Sequence, residues 1–170
     1  MVNQDLMDNR IKYRKVETQD IETICTIYNS HIELGGSTFE TESWQAAILN
    51  QQILNNQDDL WFVAEDTNQI IGWCAARRYS DRYGYRLTRE IAIYFAINHT
   101  GRGYATSLLE MTENACRLSG VHHLVSRVIA GNEHGIRFHR RCGYEMVGIQ
   151  KEIGYLNDEW LDVAILQKIL

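Results

Sequence analysis

The chain has 170 residues, 45% of them hydrophobic and 23% charged, with a formal net charge of −5. That length suits one domain, residues 1–170, with a sizeable core, and the ordinary charged share excludes a disordered or fibrous class. The negative balance speaks against a nucleic-acid partner held by neutralising many phosphates, although one basic loop suffices for a single phosphorylated ligand.

Residues 1–10 form a polar leader without the apolar centre of a signal peptide. No later apolar run approaches the roughly 20 residues of a spanning helix, so no membrane partner is expected and the chain reads as cytoplasmic. Ile11 to Val16 then reads as a short strand. Thr18 is placed to cap a helix that carries Ile21, Ile24, Cys25, Tyr28 and Ile32 on one face. Gly35-Gly36 ends it, and the spacing returns from Ser43 to Leu54. Leu60–Glu65 and Ile70–Tyr79 are apolar runs joined by Asp66-Thr67-Asn68-Gln69, which has the chemistry of a hairpin turn. Arg77 to Arg89 is rich in arginine and tyrosine and fits no period, so it is read as a functional loop before a strand from Glu90 to Ile97. A helix follows from Gly101 to a stop at Gly120, with Ala105, Leu108, Leu109, Thr112 and Ala115 aligned. Then come a strand (His123 to Ile129), a short helix (Glu133 to Arg141), and closing strands around Tyr144 to Ile153 and Trp160 to Lys168. The order β-α-α-β-β-β-α-β-α-β-β describes one mixed sheet with helices against it. Cys25, Cys74, Cys116 and Cys142 are scattered with no Cys-x-x-Cys pair, as free thiols are.

The sharpest local signal is Thr100-Gly101-Arg102-Gly103-Tyr104-Ala105, lying between a strand and an amphipathic helix. Glycine permits close backbone approach, and the first N–H groups of a helix attract anions, so a pyrophosphate fits. A tight turn needing glycine only for geometry fits too. The Lys-Ser/Thr ending of a triphosphate loop and the third glycine of a dinucleotide fingerprint are both missing.

This loop resembles the pyrophosphate arm of GCN5-related N-acetyltransferases (the GNAT superfamily), with Gly103 and Ala105 on the small positions and Thr100 in place of Arg or Gln. Asn132 to Tyr144 resembles a second segment of that family, Asn-x-x-Ser-x-x-Leu-His-x-x-x-Gly-Phe/Tyr, with Gly135 in place of Ser. Within the superfamily the chain is most similar to phosphinothricin and methionine sulfone acetyltransferases, through Ile27-Tyr28-Asn29, Ser37 to Glu42, Tyr85-Arg86-x-Thr88-x-Glu90 and Gly154-Tyr155. Leu156 stands where those enzymes usually carry lysine.

The resemblance implies a GNAT fold, an α/β arrangement with a mostly antiparallel seven-stranded sheet and about four helices, and a homodimer. It implies acetyl-CoA as co-substrate, a small amino-acid-like amine as acceptor, and direct attack in a ternary complex. Gly101, Arg102, Gly103, Tyr104, Ala105, Thr106 and Asn132 would hold the coenzyme, and a backbone N–H of Ile93, Tyr94 or Phe95 would face the developing oxyanion. Glu90 is the expected base and His139 the expected proton donor near sulfur. Without chemistry, Glu90 is a strand-end carboxylate paired with Arg86 or Arg89, and His139 a structural histidine. Arg78, Arg82 and Arg86, with Tyr79 and Tyr85, are expected to clamp an acceptor carboxylate, with Glu33 and Phe39 across the pocket. A solvated basic loop is the alternative. His122-His123 and the His134/His139 pair do not converge, so no metal is expected. Two other functions remain open: a coenzyme-binding module without chemistry, and acetylation of a protein N-terminus.

Overall fold

The computed structural model describes residues 10–170, so all of the polar leader except Arg10 lies outside it. Seven strands form one sheet in the order β1-β2-β3-β4-β5-β7-β6. They are β1 (Ile11–Lys15), β2 (Leu60–Asp66), β3 (Gln69–Arg78), β4 (Thr88–Phe95), β5 (His123–Ile129), β6 (Glu145–Leu156) and β7 (Glu159–Ile169). Four helices pack on it: α1 (Ile21–Leu34), α2 (Ala46–Asn55), α3 (Tyr104–Leu118) and α4 (Glu133–Arg141). The element order matches the sequence reading, and the boundaries differ for local reasons. Thr18 does not cap α1. It opens a single 3-10 turn, where the Glu17 amide donates to Asp20 Oδ2 at 2.8 Å. The second helix starts at Ala46 because the segment before it is held extended, with Trp44 N donating to Asn29 Oδ1 at 2.7 Å.

The arginine-rich stretch is loop over residues 79–87 and strand only at its two ends. β3 runs on through Arg78 and β4 begins at Thr88, and the connection between them holds one short 3-10 turn at Tyr83–Tyr85. β4 starts two residues before the Glu90 read from sequence, where the adjacent polar residues Thr88 and Arg89 erase the apolar half of a period of two. The β2–β3 connection is tighter than the four residues read from sequence. Thr67 and Asn68, at φ 49° and 65°, make a two-residue hairpin loop, the mirror-image turn whose twist matches that of the strands.

The sheet has two unlike faces. One buries Phe62, Cys74, Ile91, Phe95, Leu124 and Leu166 against α3 and α4. The other buries Val63, Trp73 and Ala75 against Ile24, Cys25 and Tyr28 of α1. Trp73 is fully enclosed, with the rings of Trp61, Trp44, Tyr28 and Tyr94 all within 6 Å of it, centroid to centroid.

Every neighbouring pair is antiparallel except β4 and β5, which are parallel and pair only over Thr88–Glu90 with His123–Val125. Beyond Glu90 the two strands part. A bulge in β6 between Gln150 and Gly154 is pinned by Asp162 of β7, which accepts from Lys151 Nζ at 2.7 Å and from the Glu152 amide at 2.8 Å. Just past the bulge, Gly154 leaves room for Phe39, whose ring lies where a Cβ would stand. The segment after α1 therefore reaches across the parted strands to β6.

Candidate active site

The parting of β4 and β5 exposes one edge of β4, and strand alternation says which groups lie along it. Ala96 N donates to Ile71 O of β3 at 2.8 Å. Peptide groups alternate between edges, so those of Glu90, Ala92 and Tyr94 also face β3, and those of Ile93 and Phe95 face the gap. This corrects one expectation: the Tyr94 peptide is turned away from the gap. Its side chain stays close, the hydroxyl donating to Ser37 O at 3.0 Å. His31 of α1, which sequence reading passed over, puts Nε2 2.8 Å from Phe95 O. A carbonyl only accepts, so Nε2 carries the proton. The Ile93 carbonyl and the amides of Ile93 and Phe95 are left along the open edge.

At the far end of the gap lies a cleft of about 420 Å³ between the end of α1 and the start of α4, lined by His31, Gly35, Ser37, Asn132, Glu133 and Arg137 among others. Asn132 caps α4, its Oδ1 accepting from Gly135 N at 2.9 Å. Next to β4, α3 begins after Gly103. Gly101 and Gly103 have φ of 74° and 86°, and a Cβ built on either meets open space. The amides of Tyr104 and Ala105 precede the first internal bond of the helix, and Arg102 and Thr106 are exposed beside them. Free amides at the positive end of a 15-residue helix suit an anionic group. These features fit acetyl-CoA: an anion seat at the head of α3, then an open strand edge for an amide-bearing arm.

Glu90 sits where the strands begin to part, on the face shared with α1. Its carboxylate pairs with neither Arg86 nor Arg89. Arg127 of β5 holds it bidentately, Nε to Oε1 at 2.8 Å and Nη2 to Oε2 at 2.6 Å. Arg127 escaped the sequence reading because the pair joins strands 37 positions apart.

His139 is a correction. It is 5% exposed inside the contact of α4 with the sheet, with Nε2 2.9 Å from Ser126 Oγ and Nδ1 enclosed without a partner. Burial pushes its pKa down to about 4, so at neutral pH the ring is uncharged and carries no acid proton to give.

The expected arginine clamp does not assemble either. Arg78 turns to Asp58 at 3.2 Å and Asp81 at 3.6 Å, Arg86 lies over the Tyr83 ring at 4.4 Å, and Arg82 is exposed. Tyr79 and Tyr85 do meet, edge to face at 5.3 Å. Glu33 is exposed on the last turn of α1. Among the described residues no group of three His, Cys, Asp or Glu side chains converges on a metal position, and no helix is long and apolar enough to cross a membrane.

A family model described as an acetyltransferase (GNAT) domain matches residues 13–165. The chain belongs to the GNAT acetyltransferases. As such it is an acetyl-CoA-dependent N-acetyltransferase. It is 27% identical over 160 residues to the phosphinothricin N-acetyltransferase of Alcaligenes faecalis, an alignment spanning 92% of this chain and 81% of that protein. Its fold superposes on the Sinorhizobium meliloti phosphinothricin acetyltransferase in complex with AcCoA, with a TM-score of 0.89, 25% identity and coverage of 95% and 89%. A ribosomal-protein-alanine N-acetyltransferase from Brucella melitensis is similar as well, with a TM-score of 0.90, 28% identity and coverage of 94% and 99%.

Proposed function

We propose that this acetyltransferase acts on the primary amine of a small amino-acid-like acceptor, by direct attack with both substrates bound at once. The observation that carries this reading is the position of Glu90. Its carboxylate stands on the α1 face at the point where β4 and β5 part, so an acceptor from that face meets it beside the open edge. The names of the similar phosphinothricin acetyltransferases support a small acceptor.

Acetyl-CoA supplies an activated acetyl group as its thioester. The chain's own residues supply placement and charge. The amides of Tyr104 and Ala105, with Gly101 and Gly103 giving close approach, seat the phosphates; Arg102 and Thr106 flank them, and Asn132 faces the arm from α4. The open amides of Ile93 and Phe95 are the donors for negative charge developing on the acetyl oxygen. Glu90 attracts the acceptor's ammonium and takes its proton, directly or through water, because only a neutral nitrogen attacks. His139 is a packing residue, so the departing sulfur draws its proton from solvent.

Release of free thiol from acetyl-CoA, followed over a panel of amines, tests the reading. Turnover is expected with amino-acid-like acceptors such as phosphinothricin, methionine sulfone or methionine sulfoximine. Turnover confined to peptides with an N-terminal alanine would replace the small acceptor with a protein terminus, and coenzyme binding with no turnover on any amine would leave a binding module.

A further inference from the structure

Three charged side chains stand in a row on the α1 face of the sheet. Arg77 of β3 is directly opposite Glu90 of β4 in the register, and Glu90 is held by Arg127 of β5. Alternation puts Arg77 on the same face as Trp73 and Ala75, which pack against α1. Glu90 gives both oxygens to Arg127, which leaves Arg77 without a hydrogen bond or ion pair among the described residues. Arg77 is nevertheless half-buried, and its charge reaches inward: burial pushes the pKa values of Tyr28, Tyr94 and Asp59 up, and Arg77 offsets part of that rise. A half-buried guanidinium with five donors and no acceptor is costly unless an anion completes it. No hydrogen bond or ion pair joins Arg77 to Asp59, whose Oδ1 accepts from the Arg78 amide at 2.7 Å.

We propose that Arg77 binds the α-carboxylate of the acceptor, and so makes this enzyme selective for α-amino acids over other amines. The inference rests on the acetyltransferase reading above and adds to it the acceptor's second anchor. The spacing suits the ligand. Directly opposed residues on neighbouring strands lie one strand step apart, about 4.8 Å, and an α-amino acid carries its ammonium and carboxylate on one carbon. With the ammonium against Glu90, the carboxylate falls toward Arg77. The guanidinium fork binds carboxylates through two parallel bonds, which fixes orientation as well as charge. Arg127 is a positioning residue: its bidentate hold keeps the Glu90 carboxylate from collapsing onto Arg77 and blocking the anion seat. Tyr79 and Tyr85 stand on the same side, Tyr79 close enough to act electrostatically on Arg127.

The test compares an α-amino acid that the wild type acetylates with its carboxamide, which keeps the amine and shape but loses the anion. Wild-type kcat/KM is expected to favour the acid by at least about ten-fold, a charge-assisted bond being at stake. Arg77→Gln should lower kcat/KM for the acid about 30- to 300-fold, mostly through KM, while changing the carboxamide less than about three-fold and leaving the KM for acetyl-CoA as it was. Arg77→Lys should recover part of the loss on the acid alone, and thermal melting of each variant reports that it is folded. Equal losses on acid and carboxamide, or none on either, would sink the role of Arg77 and leave the acetyltransferase reading standing. If wild type acetylates neither compound nor any other small amine, that reading and this inference fall together.

Discussion

Glu90 and His139 were singled out by the same family resemblance, and their surroundings separate them. Glu90 remains 18% exposed at the mouth of the gap, where an ammonium can reach it, although both oxygens are engaged by Arg127. Glu90→Gln keeps the size and cannot take a proton. It is expected to lower turnover about ten- to a thousand-fold, with acetyl-CoA binding unchanged and partial recovery at high pH, where the amine is already neutral. Normal turnover with an unaltered pH profile would assign proton removal to solvent. His139 makes a different prediction, because burial holds its pKa at about 4 against an ordinary 6.5. The unfolded chain therefore binds a proton that the folded one refuses between those values. The full contribution is present above pH 6.5 and is lost as pH falls toward 4, amounting to roughly 3 kcal/mol at about 1.4 kcal/mol per unit. Melting temperature measured from pH 7 to pH 4.5 should fall less steeply in His139→Phe than in wild type. Parallel curves would show that the ring is not the group being titrated.

Among the elements, α3 is the one through which the proposed coenzyme seat depends on local backbone conformation. Gly103, before its first turn, and Gly120, after its last, have similar φ of 86° and 79°, and an added Cβ meets nothing at either. Alanine at either position is left-handed and costs about 1–2 kcal/mol of stability. Only Gly103 adjoins the free amides of the helix start. Gly103→Ala should therefore raise the KM for acetyl-CoA about ten-fold or more, whereas Gly120→Ala should melt lower by a similar amount with unchanged kinetics. Equal coenzyme KM values in the two variants would make the Gly103 turn a connector and nothing more. α3 was legible because its amphipathic period and its glycine stop lie within one local stretch. β4 was read two residues short at its start because Thr88 and Arg89 are both polar, and no local pattern marks such residues as strand.

At the scale of the molecule, the parting of β4 and β5 would weaken the sheet unless something bridges it. Lys168 of β7 reaches Glu113 of α3 at 2.6 Å and also donates to Cys142 O at 2.7 Å, tying the far half of the sheet to the helix that packs on β2 and β3. The Glu113 side chain is 3% exposed. Lys168→Met should cost about 2–4 kcal/mol in chemical denaturation by leaving an enclosed carboxylate to its longer contact with Arg117 Nη2 at 3.9 Å, and adding Glu113→Leu should recover most of it. A double variant no more stable than the single one would mean that the pair adds more than charge compensation. Such cross-sheet partners explain how much could be read beforehand. The element order and the glycine turn at the head of α3 follow from patterns spanning a few residues, since helix period and glycine turns are local physics. The pairing of Glu90 with Arg127, the enclosure of His139, the hold of His31 on Phe95 and the unpartnered charge of Arg77 depend on strand order and register. Those are settled when distant segments bury their faces together, and no short stretch of sequence carries that information.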